Sequence, residues 1–390
     1  MAASTCGLSR SHGHGGGGSI KARHVAIVGS GSLARSVCLS LAALVPDAGA
    51  AGQAPLRVTV LARDGAAAGQ IARACRARAA VSGVPVTFAA EAAPTDEPAD
   101  EPAVTLARLR PDLLVCCASA QSPYERITAP SAWTALIERA GFGLTLPLQA
   151  TLAARLARAI VRASPDTLLI NGCFPDVVNP LLAALGLPVH CGIGNVATLA
   201  ACLQASLDLP DQRELAVLGH HAQLAAPDDP ADEVRAWHGG TPLPGVTELL
   251  GPDRALPRRM LNALAGHAAA RLLVDLASGA VVHTSLPGPL GLPGGYPVRL
   301  LGGRVALNLP AGLTTGAAID WNLRVGRRDG VEIRDGRIGY PDGAAAALAA
   351  YLPEVAAGWP ADALDEVADR LTALRQRLRP AQPAAVGTAC

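Results

Sequence analysis

His24-Val-Ala-Ile-Val28 runs directly into Gly29-Ser30-Gly31-Ser32-Leu33-Ala34 and then into an apolar helical stretch through Leu41. An apolar strand, a G-x-G-x-x-A turn and a helix follow one another, and each small residue has a steric purpose. Gly29 permits the tight turn, Gly31 lets the backbone approach a pyrophosphate, and Ala34 lets helix and strand pack closely. The helix start adds free N–H groups and the positive end of the helix dipole. Gly29, Ser30, Gly31, Ser32, Leu33 and Ala34 are therefore expected to hold a dinucleotide cofactor. The plainer alternative is that the glycines only shape a turn; the position of the segment as the first structured piece of the chain favours the cofactor.

Outward from this stretch, apolar runs alternate with turn residues as strands and helices do. Strands are expected near Val25–Val28, Arg57–Leu61, Val84–Phe88, Leu113–Cys117, Thr167–Ile170 and Val189–Gly192. Helices are expected near Leu33–Leu44, Ala66–Val81, Ser131–Glu138, Leu148–Ala163 and Val177–Leu185. Continuous apolar strands alternating with helices imply an α/β fold with a doubly wound parallel sheet. Glu91–Pro102 reads as an exposed acidic loop. Beyond Asn195 the pattern becomes α+β, with a long helix Arg258–Ser278 and turn-punctuated strands from Val281 to Ile338. A last amphipathic helix, Ala361–Leu378, carries Leu364, Val367, Leu371, Leu374 and Leu378 on one face. The expected division is a disordered tail over 1–21, a Rossmann domain over 22–192, an α+β substrate domain over 193–352, and a terminal helix and tail over 353–390.

Composition narrows the function. At 390 residues the chain has room for two domains, and half of it is apolar. A net charge of +1, from 33 basic and 32 acidic residues, creates no field for nucleic acid or an anionic membrane, and neither partner is expected. The nine cysteines show no paired C-x-x-C spacing and read as free thiols of a cytoplasmic protein. Met1–Ser19 lacks the apolar core of a secretory signal. Val177–Leu207 has no formal charge, yet its prolines, glycines and asparagines divide it into short buried pieces rather than a membrane span.

The end of the second strand selects the dinucleotide, because an acidic residue there binds a ribose 2′-hydroxyl and repels a 2′-phosphate. Arg63 occupies that region and suits a phosphate monoester, so NADP is favoured over NAD, although Asp64 follows at once.

Later segments, in order, carry a family resemblance. They are Ala118-Ser-Ala-Gln-Ser-Pro-Tyr-Glu-Arg126, Ile170-Asn171-Gly-Cys-Phe-Pro175-Asp176-Val177, Gly192-Ile-Gly194-Asn195 and Val217-Leu-Gly219-His220-His221-Ala222. Together with the glycine turn, they make residues 22–345 resemble the lactate/malate dehydrogenase superfamily. The resemblance implies that Ala118 borders the cofactor, that Arg126 on a mobile loop polarises the substrate carbonyl, and that His221 is the counterpart of the catalytic histidine. It also implies a homo-oligomer, either dimer or tetramer. Two departures are plain. The places of the family's histidine-orienting aspartate and carboxylate-clamping arginine read Thr198 and Ala201. A 2-keto acid without that arginine loses a contact worth ~1.5–3 kcal/mol, so an ordinary lactate or malate substrate is not expected.

Hydride transfer needs a cofactor beside the substrate carbon and a group that trades a proton. His221 fits the second task because imidazole titrates near neutrality. His220 is the alternative, and an acid elsewhere in the chain, such as Asp176, is available to orient the ring. Asn171, at the carboxyl end of its strand, either bonds substrate or nicotinamide or closes its own turn. His220, His267 and Asn195 are substrate-side candidates. No metal is expected, since the histidines and Cys173, His190 and Cys191 lack a compact ligand spacing. The reading is an NAD(P)-dependent oxidoreductase acting on a small carbonyl/alcohol or imine/amine metabolite. An opine- or saccharopine-type dehydrogenase and a non-catalytic dinucleotide sensor are the other classes that fit.

Overall fold

The computed structural model describes residues 23–44, 55–93 and 101–381. The expected N-terminal tail, the centre of the acidic linker and the last residues lie outside them.

Six parallel strands form the main sheet: β1 (His24–Val28), β2 (Leu56–Ala62), β3 (Val86–Ala92), β4 (Leu113–Cys116), β5 (Leu168–Asn171) and β6 (Cys191–Gly192). Their order is β3-β2-β1-β4-β5-β6. The direction of winding reverses between β1 and β4, and ligands of open α/β sheets bind at that crevice. Val28 pairs with Leu61 on one side and Cys116 on the other, so the glycine turn emerges at the sheet's carboxyl edge.

Both faces of the central strands β1, β4 and β5 are covered, which is why they are mostly apolar and buried, whereas the edge strand β3 keeps exposed residues. One core joins the sheet to helices Ser32–Leu41, Gly65–Ser82 and Arg258–Ser278, and to an antiparallel sheet β10 (Val282–Pro287), β11 (Gly295–Leu301), β12 (Arg304–Leu307). The opposite core gathers helices Ala132–Ala140, Leu146–Ala163 and Pro175–Ala184. The sheet β13 (Glu332–Arg334), β14 (Arg337–Gly339), β15 (Trp359–Pro360) and the final helix Leu364–Leu378 pack into that same core. A smaller core lies under β7 (Leu215–Leu218), β8 (Arg235–His238) and β9 (Thr241–Pro242).

The long helix of the second half meets the helix of the glycine turn almost backbone to backbone. Ser36 Oγ donates to the Ala263 carbonyl at 3.2 Å, and a Cβ on Gly266 would lie 2.2 Å from Ser36 Oγ.

Two expectations are corrected. The stretch read as strands from Val281 to Ile338 contains helix Thr315–Gly326, started by Thr314 Oγ1 accepting from the Ala317 amide at 3.2 Å. The surrounding glycines suggested turns, whereas the cap and the buried Ala318, Trp321 and Val325 decide for helix. The acidic loop is also shorter than expected. β3 continues to Ala92 and a helix begins at Glu101, with Arg108 donating to Glu91 at 3.2 Å. Among the described residues no helix is long and apolar enough to cross a membrane.

Candidate functional site

At the glycine turn, Gly29 has φ +125° and donates its amide to Leu61 O at 2.7 Å. A Cβ there would stand 2.9 Å from Cys117 O and 3.2 Å from the Ala118 Cβ, so the turn needs glycine and Ala118 is its neighbour. Gly31 contrasts with it: a Cβ there would meet no atom within 4 Å. Gly31 precedes helix Ser32–Leu41, and no side chain caps that helix's first amides. Free N–H groups and the helix dipole therefore face open space, an arrangement suited to a pyrophosphate. Gly31 and Ser32 are exposed, Ser30 is partly buried, and Ala34 is fully buried against the sheet. Leu33 reaches across to β5, where a Cβ on Gly172 would lie 2.9 Å from Leu33 Cδ2.

Arg63 is exposed just beyond β2. Asp64 is committed to its own helix, its Oδ1 accepting from the amides of Ala66 at 2.9 Å and Ala67 at 3.1 Å.

A second cluster lies past the carboxyl end of β5. His221 Nδ1 is 3.0 and 2.9 Å from Oδ1 and Oδ2 of Asp329. The imidazole stacks on Phe142 with centroids 5.3 Å apart and an interplanar angle of 27°, and meets Phe174 edge-on at 5.1 Å. The two phenylalanines touch one another at 5.0 Å. Phe174 holds φ +44°, an uncommon conformation for a bulky residue. The His221 side chain is 26% exposed and that of Asp329 8%, so one ring edge is open while the carboxylate is enclosed.

Asp329 reaches this place because glycines let its backbone dock. A Cβ on Gly141 would lie 2.5 Å from Asp329 O, and one on Gly330 would lie 2.0 Å from Ala140 O. The turn containing Phe142 and the turn containing Asp329 thus fit only as a pair.

Asp176 organises the same cluster from below. Fully buried in the first turn of helix Pro175–Ala184, it accepts the His221 amide at 3.0 Å through Oδ1 and the Asn195 side-chain amide through Oδ2. Its own carbonyl accepts the Gly294 amide at 3.0 Å. The carboxylate thus engages the His221 loop rather than the ring, and Asp329 orients the imidazole.

Charge follows geometry. Burial alone would lower the His221 pKa, but the Asp329 and Asp176 carboxylates outweigh burial and the opposing charge of Arg258, leaving it raised above 6.5. Burial would raise that of Asp329, yet His221 and His220 hold it well below 3.8. Between those limits the pair is ionised.

His220 is 2% exposed, with its Nδ1 3.4 Å from Asp329 Oδ2. Asn171 is fully buried, with Nδ2 donating to Cys173 O at 3.0 Å and Asn179 Oδ1 at 2.9 Å, and Oδ1 accepting the Cys173 amide at 2.9 Å. It closes the turn that leads to Phe174. Arg126 stands apart from the cluster, 65% exposed and paired with Glu138 at 2.8 Å. Its neighbour Glu125 is buried and held by Arg375 at 2.7 Å and Arg379 at 2.6 Å of the C-terminal segment. His267 is exposed on its helix. Among the described residues no group of three or more His, Cys, Asp or Glu is arranged to hold a metal ion.

Sequence reasoning missed Asp329, Phe142 and Phe174. Asp329 is 108 residues from His221, so no local spacing announces it. The one available signal was Gly330 immediately after it.

Neither a family model nor a curated protein matches this chain. Solved structures do match in fold. The malate dehydrogenase of Picrophilus torridus in its apo form superposes with a TM-score of 0.52 at 14% identity, covering 79% of this chain and 96% of that one. The malate dehydrogenase of Aeropyrum pernix gives 0.48 at 15% identity, over 78% and 97%. The first of these likenesses shows the fold, a Rossmann-like sheet followed by a region of smaller sheets.

Proposed function

We propose that this protein is an NAD(P)-dependent oxidoreductase with His221 as its acid/base group. The observation that carries the reading is the Asp329 carboxylate at 2.9 Å from His221 Nδ1, at the carboxyl edge of a sheet whose glycine turn is open to a pyrophosphate. A histidine with one nitrogen fixed by a buried carboxylate presents the other in a defined direction and protonation state.

Gly29, Gly31 and the start of helix Ser32–Leu41 would seat the pyrophosphate, with Ala118 beside the turn. Asp64 caps its own helix, which supports Arg63 as the reader of the ribose and NADP as the preferred cofactor. Bound nicotinamide supplies or accepts the hydride. In reduction, His221 donates its proton from Nε2 as negative charge develops on the substrate oxygen or nitrogen, while Nδ1–H stays on Asp329. In oxidation the neutral ring takes the proton back. Phe142 and Phe174 hold the ring's plane and keep water from its faces. Thr198 and Ala201 offer no cation, so the substrate is read as a small carbonyl or imine other than an ordinary 2-hydroxy acid. The resemblance extends this reading to a homo-oligomer, which sedimentation would test.

The deciding experiment is calorimetric titration with NADPH and NADH of the wild type and of Arg63→Ala, followed by nucleotide oxidation with a carbonyl panel, with and without ammonium. NADPH binding weakened in the variant, and turnover with one carbonyl, is the expected result. If neither nucleotide binds, the glycine turn is structural and the reading falls.

A further inference from the structure

We infer that His220 is a positioning residue for proton transfer: its imidazole meets Oδ2 of the Asp329 carboxylate, the oxygen that His221 also contacts, so that Asp329 serves two rings at once. The inference rests on the reading of His221 as the acid/base group and adds a member to that machinery.

His220 Nδ1 lies 3.4 Å from Asp329 Oδ2, the oxygen that is also 2.9 Å from His221 Nδ1. The ring is enclosed, and its backbone amide donates to Gln223 Oε1 at 2.7 Å. Space for it is made by Gly326, where a Cβ would stand 3.0 Å from His220 Nε2. Gly326 ends the helix that leads directly into the 327–329 turn. The residue that admits His220 and the residue that His220 contacts therefore belong to one short segment.

One atom faces two partners. The Ala222 amide is 3.3 Å from the same His220 Nδ1, and Nδ1 cannot accept from that N–H while donating to Asp329. The carboxylate is the more demanding neighbour, because an enclosed charge left facing a lone pair costs more than a partly buried amide left without its acceptor. His220 therefore carries its proton on Nδ1. The charged and titratable groups around the pair are then His220 and His221 on Asp329, Asp176 at the His221 backbone, and Arg258, whose charge reaches His221.

A donor on Asp329 draws negative charge away from His221, so removing that donor strengthens the pull on the His221 proton. His220→Ala should move the His221 titration midpoint to higher pH, whereas Asp329→Asn should move it to lower pH. A residue that only fills space would shift neither in this opposed manner. The test is nitrogen-15 NMR of the full chain labelled at histidine, without nucleotide or substrate, so its outcome is separate from whether any substrate turns over. A protonated His220 Nδ1 in the wild type and an upward His221 midpoint in His220→Ala are expected, with His220→Gln, which retains a donor, close to wild type. Turnover in His220→Ala should fall roughly tenfold, the scale of one charge-assisted hydrogen bond, at unchanged nucleotide affinity. An unprotonated His220 Nδ1, which needs no variant to observe, overturns the inference, as does an unmoved His221 midpoint.

Discussion

The glycine turn and the histidine cluster lie on the same sheet edge but are built in opposite ways. The turn is local: His24–Leu41 provides its strand, bend and helix, and the neighbouring strands add backbone pairing, such as the Gly29 amide on Leu61 O, but no side chain. The cluster is assembled from five separate segments, at Phe142, Phe174–Asp176, Asn195, His220–His221 and Asp329. A binding function that uses backbone amides can be encoded in one stretch, whereas an oriented side-chain pair requires the whole fold.

That contrast predicts separable failures. The largest effect should come from Asp329→Asn, which keeps the shape but leaves His221 without a carboxylate. Turnover should drop by about 10²–10⁴-fold, the range of general acid–base catalysis, with nucleotide affinity unchanged by calorimetry. An equal loss of nucleotide affinity would mean that the two regions are not independent. Next comes Gly31→Val at the other region. A Cβ there meets no atom within 4 Å, so the unfolding free energy should change by no more than about 0.5 kcal/mol, while nucleotide affinity falls by roughly a hundredfold as the pyrophosphate's place is filled.

Asp176→Ala should sharpen the comparison from the stability side. Removing a buried carboxylate that accepts from the His221 amide and the Asn195 side chain should cost about 2–3 kcal/mol in urea unfolding, because both donors lose a charged acceptor. An unchanged unfolding midpoint would show that the segments hold together without it.

The pH dependence should carry the cluster's signature alone. Reduction needs protonated His221, so its kcat/KM should be level at low pH and fall as pH rises through the raised His221 value; oxidation should show the reverse. For stability, the raised His221 contributes fully below 6.5 and loses its contribution as pH rises through its folded value. The lowered Asp329 contributes above 3.8 and loses its contribution as pH falls through its folded value. The pair therefore stabilises most between those two ordinary values, and Asp329→Asn should remove that maximum. The smallest effect belongs to Arg126→Ala. An exposed pair with Glu138 contributes about 0–1 kcal/mol, and turnover should stay within roughly twofold. A large loss would instead bring Arg126 into the site.

The same contrast explains what could be read beforehand. The six parallel strands and most helices of the first half were legible because apolar runs and turn residues repeat at short range. His221 was legible only through the order of neighbouring motifs. Thr198, where the resemblance implies an aspartate, carries no carboxylate, and nothing near it in the sequence points to Asp329. That information resides in the fit of Gly141 against the 329–330 turn, a contact between residues nearly two hundred positions apart.

The separation of His221 and Asp329 also sets a schedule for synthesis. The chain grows from its N-terminus at roughly 5–20 residues per second, so Asp329 is added roughly 5–20 s after His221, and the glycine turn is finished well before either. On the proposed function, a nascent chain would present a place for nucleotide long before it holds an oriented base. Ribosome-bound intermediates stalled before residue 329 should therefore capture cofactor without consuming it.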